Sequence, residues 1–152
     1  MSSRPISRRE YVTLAEFRHA LRVFQRFSED AARSAGVTPA QHQLVLAVKG
    51  WPDSGAPSVS DIADRLQLRN HSTVELVRRA EQAGLVTTHA DPDDHRRQLI
   101  DVTEQGEALL ASLSALHRDE LHTTIRLPLP SSALPLPVMV TLEAGWLSST
   151  RV

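Results

Sequence analysis

Two short predicted helices followed directly by a predicted hairpin constrain the fold of this chain more than any other feature. Apolar residues at helical spacing predict a helix at 60–67, begun by Ser60, and a second helix at about 70–83, ended by Gly84. A turn of about three or four residues between two helices is typical of a helix-turn-helix. Many small helical hairpins share this spacing, so the hairpin that follows is the stronger indication.

The hairpin is predicted from two strand-like runs, Leu85–His89 and Gln98–Val102. The polar, turn-rich segment Asp91–Arg97 lies between them. A hairpin directly after a helix-turn-helix is a wing. The sequence therefore predicts a mainly α fold with a small β wing, a winged helix-turn-helix whose wing sheet has two or three strands.

A further helix at 38–49 has a clear start. Thr38 can cap it, Pro39 suits the first helical position, and Gln41 completes a capping box.

Amphipathic helices are predicted on both sides of this region, at 8–35 and at 104–125, the second capped by Thr103. Their apolar stripes are either ordinary core or a contact with a second protomer. The stripes consist of Leu14, Phe17, Leu21, Phe24 and Ala31, and of Leu109, Leu110, Leu113 and Leu116.

These elements form a single predicted domain at 1–125, with the winged helix-turn-helix at about 38–103. The remaining segment, 126–152, is rich in proline, and the prolines from Pro128 to Pro137 exclude a continuous helix there. An extended or polyproline-like tail is expected.

Composition excludes several classes of function. The chain has no cysteine and a net charge of −1, so thiolate metal sites and a strong global attraction to nucleic acid are not expected. No apolar stretch approaches the roughly 20 residues that span a bilayer, and no apolar segment follows the N-terminal arginines. We therefore expect a cytoplasmic protein without a membrane partner.

Catalysis and cofactor binding are not expected either. Gly-rich phosphate loops, a Gly-x-Ser-x-Gly elbow and a cysteine nucleophile are missing, so the chain is not expected to be an enzyme. The histidines lack metal-ligand spacing, so no metal or cofactor is predicted. They are His19, His42, His71, His89, His95, His117 and His122.

The wing and the helix before it resemble the MarR (multiple antibiotic resistance regulator) family. The wing signature of that family is matched by Asp91-Pro92-Asp93-Asp94-His95-Arg96, then Leu99, Val102, Thr103 and Gly106. The run from Ser72 to Val86 is similar to the family's recognition helix, and Thr38-Pro39-Ala40-Gln41 to the start of its second helix. The resemblance covers about residues 10–122.

The resemblance implies a homodimeric regulator, most simply a repressor, that binds palindromic double-stranded DNA and is released by a small aromatic or anionic effector. Two departures bear on this. Asp93 stands where the family usually has arginine near the wing tip, and phosphate would repel it. The prolines from Pro128 onward replace the family's last dimerisation helix.

DNA contacts are predicted at the recognition helix, because Asn matches adenine and Arg matches guanine in the major groove. Asn70 and Ser72 either contact bases or cap the helix, and Glu75 either accepts from cytosine or pairs with Ser72. Phosphate or surface contacts are expected for Arg78 and Arg79. The candidates in this helix are Arg69, Asn70, His71, Ser72, Glu75, Arg78 and Arg79.

In the wing, His95 and Arg97 are candidates for the DNA backbone or the minor groove. Arg96 matches the family's closing arginine, and an ion pair with Asp94 is expected there as a structural feature.

The effector pocket that the resemblance implies has four candidate residues, Arg18, His19, Arg22 and His42, which could equally be solvated. The alternative function is a winged-helix protein-interaction module that no longer binds DNA, an interpretation motivated by Asp93 and by the near-neutral charge.

Overall fold

The computed structural model describes residues 5–124, with side chains from residue 5 to residue 118. It has the predicted winged helix-turn-helix architecture. The elements are α1 (Arg8–Ser34), α2 (Pro39–Lys49), α3 (Val59–Leu66), α4 (Asn70–Gln82), β1 (Val86–Ala90), β2 (Gln98–Val102) and α5 (Glu104–Thr124). The predicted tail, 126–152, lies outside the described residues.

Helix starts follow the side chains that can satisfy free backbone amides. Thr38 caps α2, Pro39 occupies its first turn, and Gln41 completes the capping box, as predicted. The cap of α3 is Ser58, so the prediction of Ser60 was wrong. Asp61 stands three residues after Ser58, and its carboxylate accepts from the Ser58 backbone amide at 2.8 Å, which closes a capping box.

The core lies where α2, α3 and α4 meet β2 and α5. Leu44, Val45, Ile62, Ala80 and Ile100 are fully buried in it. Their removal from water is the main stabilising contribution to this region. The helix-turn-helix and the wing therefore share one core, and the recognition helix is anchored to it.

The wing is a two-stranded antiparallel hairpin in which Val86 pairs with Val102 and Thr88 with Ile100. The loop before α3 adds one isolated bridge, because the Ile100 amide donates to the carbonyl oxygen of Pro57 at 2.9 Å. The base of the wing is thus attached to the start of the helix-turn-helix.

The junction between wing and α5 depends on Thr103 and on a close backbone approach. Thr103 Oγ1 accepts from the Gly106 amide at 3.0 Å and donates to the carbonyl oxygen of Gly84 at 2.6 Å, which confirms the predicted cap. A Cβ at Gly106 would overlap the carbonyl oxygen of Leu85. Only glycine fits this approach.

Several apolar side chains of the predicted stripes remain exposed within one protomer. Leu14 and Leu21 on α1 are 40% and 45% exposed, and Leu116 on α5 is 51% exposed. Val74 on α4 is also exposed. None of the described helices is long and apolar enough to cross a membrane.

Candidate nucleic-acid interface

The N-terminal half of α4 presents polar side chains to solvent. The helix is anchored to the core by Thr73, Val77 and Ala80, all buried. The opposite face is therefore free. The predicted base-contact residues Arg69, Asn70, His71 and Ser72 are all exposed.

The start of α4 excludes the capping alternative for two of these residues. Arg69 is the N-cap, and no side chain caps the helix. Asn70 and Ser72 therefore lie inside the first turn, with side chains not committed to capping.

Glu75 is held by two arginines of its own helix, which corrects the pairing with Ser72. Its carboxylate accepts from Arg78 Nε at 2.9 Å and Nη2 at 2.7 Å, and from Arg79 Nε at 2.9 Å. These hydrogen bonds, Arg78 first, lower the pKa of Glu75 to about 2. Glu75 is therefore ionised near neutral pH and partly offsets the positive charge of the two arginines.

The wing ion pair differs from the predicted one. Asp94 accepts from the backbone amide of Arg96 at 3.1 Å, and no ion pair joins their side chains in the described part of the chain, so the predicted Asp94–Arg96 pair was wrong. Arg97 instead lies between two carboxylates, with Nη2 at 3.2 Å from Asp61 and Nη1 at 3.4 Å from Asp91.

Three further polar residues of the wing loop are exposed. His95 and Arg96 are exposed, and the Arg96 guanidinium has no carboxylate partner among the described residues. Asp93 is also exposed, and its backbone amide donates to Asp91 at 2.9 Å. The wing loop therefore exposes Arg96 and His95 beside the acid Asp93.

The four residues predicted for an effector pocket do not form one cluster. Arg18, His19 and Arg22 are exposed on α1, whereas His42 is buried on α2. No hydrogen bond or ion pair connects any two of them within residues 5–118. This part of the prediction therefore gains no support from the geometry.

His42 lies instead beside His117, a neighbour that the sequence did not indicate. The two rings are 5.0 Å apart and tilted by 36°. His117 Nδ1 lies 2.6 Å from the carbonyl oxygen of Leu113 and Nε2 lies 2.7 Å from Ser28 Oγ. Burial, and secondarily the charge of His117, lower the pKa of His42.

A shallow cleft of about 360 Å³ lies on another side of the domain, between the loop after α2, β2 and α5. An ion pair between Lys49 and Glu107 crosses it. None of the predicted effector residues lines this cleft. Within the described chain, no group of three or more potential ligands is placed to hold a metal ion.

Comparison with known proteins agrees with this architecture. Residues 35–97 match the MarR family model. No curated protein sequence is significantly similar to this chain.

Solved structures of MarR proteins superpose on most of the chain. AbsC, a MarR family transcriptional regulator from Streptomyces coelicolor, is 18% identical with a TM-score of 0.68, and the match covers 84% of this chain and 86% of AbsC. The Staphylococcus aureus MepR–DNA complex is 20% identical with a TM-score of 0.63, covering 80% and 85%. CouR from Rhodococcus jostii RHA1, bound to p-coumaroyl-CoA, is 21% identical with a TM-score of 0.60, covering 71% and 73%.

These identities establish the fold, and the match at residues 35–97 adds the family of the central module. That family consists of transcription regulators rather than enzymes. The resemblance indicated by the sequence is thus confirmed: residues 35–97 match the MarR family model, and the described chain has the winged-helix fold of the solved MarR structures.

Proposed function

We propose that this protein is a homodimeric transcriptional regulator that binds palindromic double-stranded DNA through α4 and the wing. The observation that carries the proposal is the exposed N-terminal half of α4, with Arg69, Asn70, His71 and Ser72 on a helix fixed to the core. A recognition helix contacts base edges through this half when it enters the major groove. Asn and Arg there have the donor and acceptor geometry that selects adenine and guanine.

Phosphate contacts would position the protein without reading the sequence. Arg78 and Arg79 are both exposed in the C-terminal half of α4 and share a single carboxylate, Glu75, so the group keeps a net positive charge. Arg96 is the second candidate, because its guanidinium projects from the wing without a carboxylate partner in the described chain. The wing contact is therefore assigned to Arg96 and His95 in preference to Arg97.

A homodimer follows from the apolar surface that one protomer leaves uncovered and from the two-fold symmetry of a palindrome. Leu14 and Leu21 are among the exposed apolar residues of α1 that a second copy would cover. Repression, and release by a small aromatic or anionic effector, complete the proposal. CouR, which shares this fold, was solved bound to p-coumaroyl-CoA, and this supports the expectation of a ligand.

Titration of the purified protein into labelled duplexes from the DNA around its own gene tests the proposal. We expect one duplex to be bound in preference to the others, with affinity that falls steeply as salt rises, because bound phosphates release counterions. Equal binding of every duplex, with no salt dependence, would contradict a sequence-reading role.

The second candidate is a protein-interaction module that has lost DNA binding. The exposed carboxylate of Asp93 on the wing favours it, because phosphate repels an acid at that position. A folded dimer that binds no duplex even at low salt would favour this function over regulation.

A further inference from the structure

We propose that Arg97 is a positioning residue, one that fixes the wing against α3 and so sets its angle to the recognition helix, and does not itself contact DNA. This inference rests on the proposed DNA binding. Its basis is the pair of ion pairs that Arg97 makes, one to Asp61 on α3 and one to Asp91 in the wing.

The two carboxylates are each fixed from another side. Asp61 accepts from the Ser58 backbone amide at 2.8 Å and from the Ser58 hydroxyl at 2.7 Å, as part of the capping box of α3. Asp91 is 7% exposed and accepts from the Asp93 amide at 2.9 Å. Because neither carboxylate is free to turn away, Arg97 lies between two fixed acceptors.

The backbone on either side of Arg97 strengthens this attachment. The carbonyl oxygen of Arg97 accepts from the Asp91 amide at 3.0 Å, which closes the wing loop, and the Arg97 amide donates to the carbonyl oxygen of Asp94 at 2.8 Å. The strand that follows is joined to the loop before α3 through Ile100 and Pro57. The guanidinium therefore spans the same junction as the backbone bridge and braces the wing on its loop side.

Electrostatics separates this role from a phosphate contact. One guanidinium between two carboxylates leaves a net negative charge at the site, so a DNA phosphate would be repelled there. Both terminal nitrogens of Arg97 already face an acid. Arg96, one residue earlier, is exposed without such partners and serves as the matched control.

The test compares Arg97→Ala, Arg97→Lys, Asp91→Asn and Arg96→Ala for duplex affinity over a series of salt concentrations. We expect Arg97→Ala to weaken binding by about twofold to tenfold, the range that one or two partly exposed ion pairs supply. The slope of log affinity against log salt should stay that of the unmodified protein, because no phosphate contact is lost. Arg96→Ala should reduce the slope by about 0.9, the value of one phosphate contact.

The lysine and asparagine variants sharpen the distinction. Lysine keeps the charge but replaces the two nitrogens that face the two acids by a single one without the planar fork, so Arg97→Lys should restore the affinity only in part. Asp91→Asn removes an acid near DNA, which by charge alone should strengthen binding. A positioning role requires it to weaken binding, while the amide oxygen of the asparagine still accepts from Asp93.

A DNA-free arm separates this inference from the proposed function. Hydrogen exchange of the backbone amides at 91–97 should speed up in Arg97→Ala and stay unchanged in Arg96→Ala. Unchanged exchange at 91–97 in Arg97→Ala would overturn the positioning role whether or not DNA is bound. The positioning role would also be overturned if Arg97→Ala reduced the salt slope and Arg97→Lys restored full affinity, since both results indicate a direct phosphate contact. Loss of duplex binding by the unmodified protein would instead refute the proposed function.

Discussion

On the exposed face of α4, side chains of different chemistry stand about two turns apart. Asn70 can form two hydrogen bonds to an adenine edge, whereas Arg78 and Arg79 share a carboxylate and suit phosphate. The proposed function thus assigns specificity and general affinity to different residues of one helix.

Asn70→Ala should weaken binding to the preferred operator by about 1–3 kcal/mol and relax selectivity at a single base pair. The reason is the loss of one bidentate contact, with phosphate contacts retained. Competition binding against duplexes substituted at each position measures both effects. Gln82→Ala, exposed at the end of the same helix, is the control and should leave selectivity unchanged. Equal weakening by Asn70→Ala for every duplex would argue against a base contact.

Asp93→Arg should strengthen DNA binding and make its salt dependence steeper, because a repulsive acid becomes a cation on the exposed wing. Asp53→Arg makes the same charge change in the loop after α2 and controls for net charge. Salt-dependent duplex titrations of both variants provide the comparison. If the two variants behave alike, the effect belongs to overall charge, and the wing does not approach DNA.

At the scale of elements, α1, α2 and α5 meet around two histidines. Phe24 and Phe27 of α1 meet the His117 ring in T-shaped arrangements, with centroids at 5.9 and 5.7 Å, and the His42 ring of α2 lies 5.0 Å from it. His117 must donate from Nδ1, because the Leu113 carbonyl oxygen only accepts. A proton added to His42 would place a charge in a buried site beside a second histidine.

The free energy of unfolding should therefore fall as the solution is acidified. The pKa of His42 is lowered in the folded state from 6.5, so the unfolded chain binds more protons below that pH. The contribution of His42 is fully present above about pH 6.5 and is lost as pH falls through the lower folded pKa. Urea unfolding at a fixed protomer concentration measures this change in the free energy of unfolding. The pH should run from about 5 to 8, because histidine titrates in that range.

His42→Leu should reduce this pH dependence, while His19→Leu, at an exposed position of α1, should not. An unchanged pH dependence in His42→Leu would mean that another group controls acid stability.

Element boundaries show what sequence can and cannot predict. Thr38, Pro39 and Gln41 identify the start of α2 because capping depends on neighbours in sequence. The capping-box rule also identifies the correct start of α3. The residue three positions after Ser58 is Asp61, which can close a capping box, whereas the residue three positions after Ser60 is the apolar Ala63. The exposed face of α4 was likewise predictable from helical periodicity.

The contacts of Arg97 and His42 were not predictable in this way. Arg97 reaches Asp61 because the wing folds back on α3, and His42 meets His117 because α2 packs against α5. Periodicity assigns residues to faces of single elements and gives no distance between elements. The Asp94–Arg96 pair failed for a related reason, since the conformation of a turn decides whether neighbouring side chains converge.

At the scale of the whole molecule, the uncovered face of α1 determines the expected assembly. Leu14 and Leu21 leave apolar side chains of α1 exposed to solvent in a single protomer, and contact with a second protomer would bury them. We therefore expect a homodimer at micromolar concentration. Leu21→Glu should shift the protein towards monomer by placing a charge in an apolar contact. Sedimentation velocity measures the shift. The control is Gln43→Glu, which adds the same charge at an exposed position of α2. A native protein that sediments as a monomer would contradict this assembly.

The measurement that tests the central claim most directly is selection of bound sequences from a random duplex pool at low salt. A dimer that reads DNA with two copies of α4 should enrich a palindrome. Its half-sites should be centred about one helical turn apart, about 10 base pairs, or a multiple of this. Repeating the selection with Asn70→Ala should remove the preference at one position of each half-site. If the folded dimer enriches no palindrome, the claim that this protein is a sequence-reading DNA regulator is contradicted.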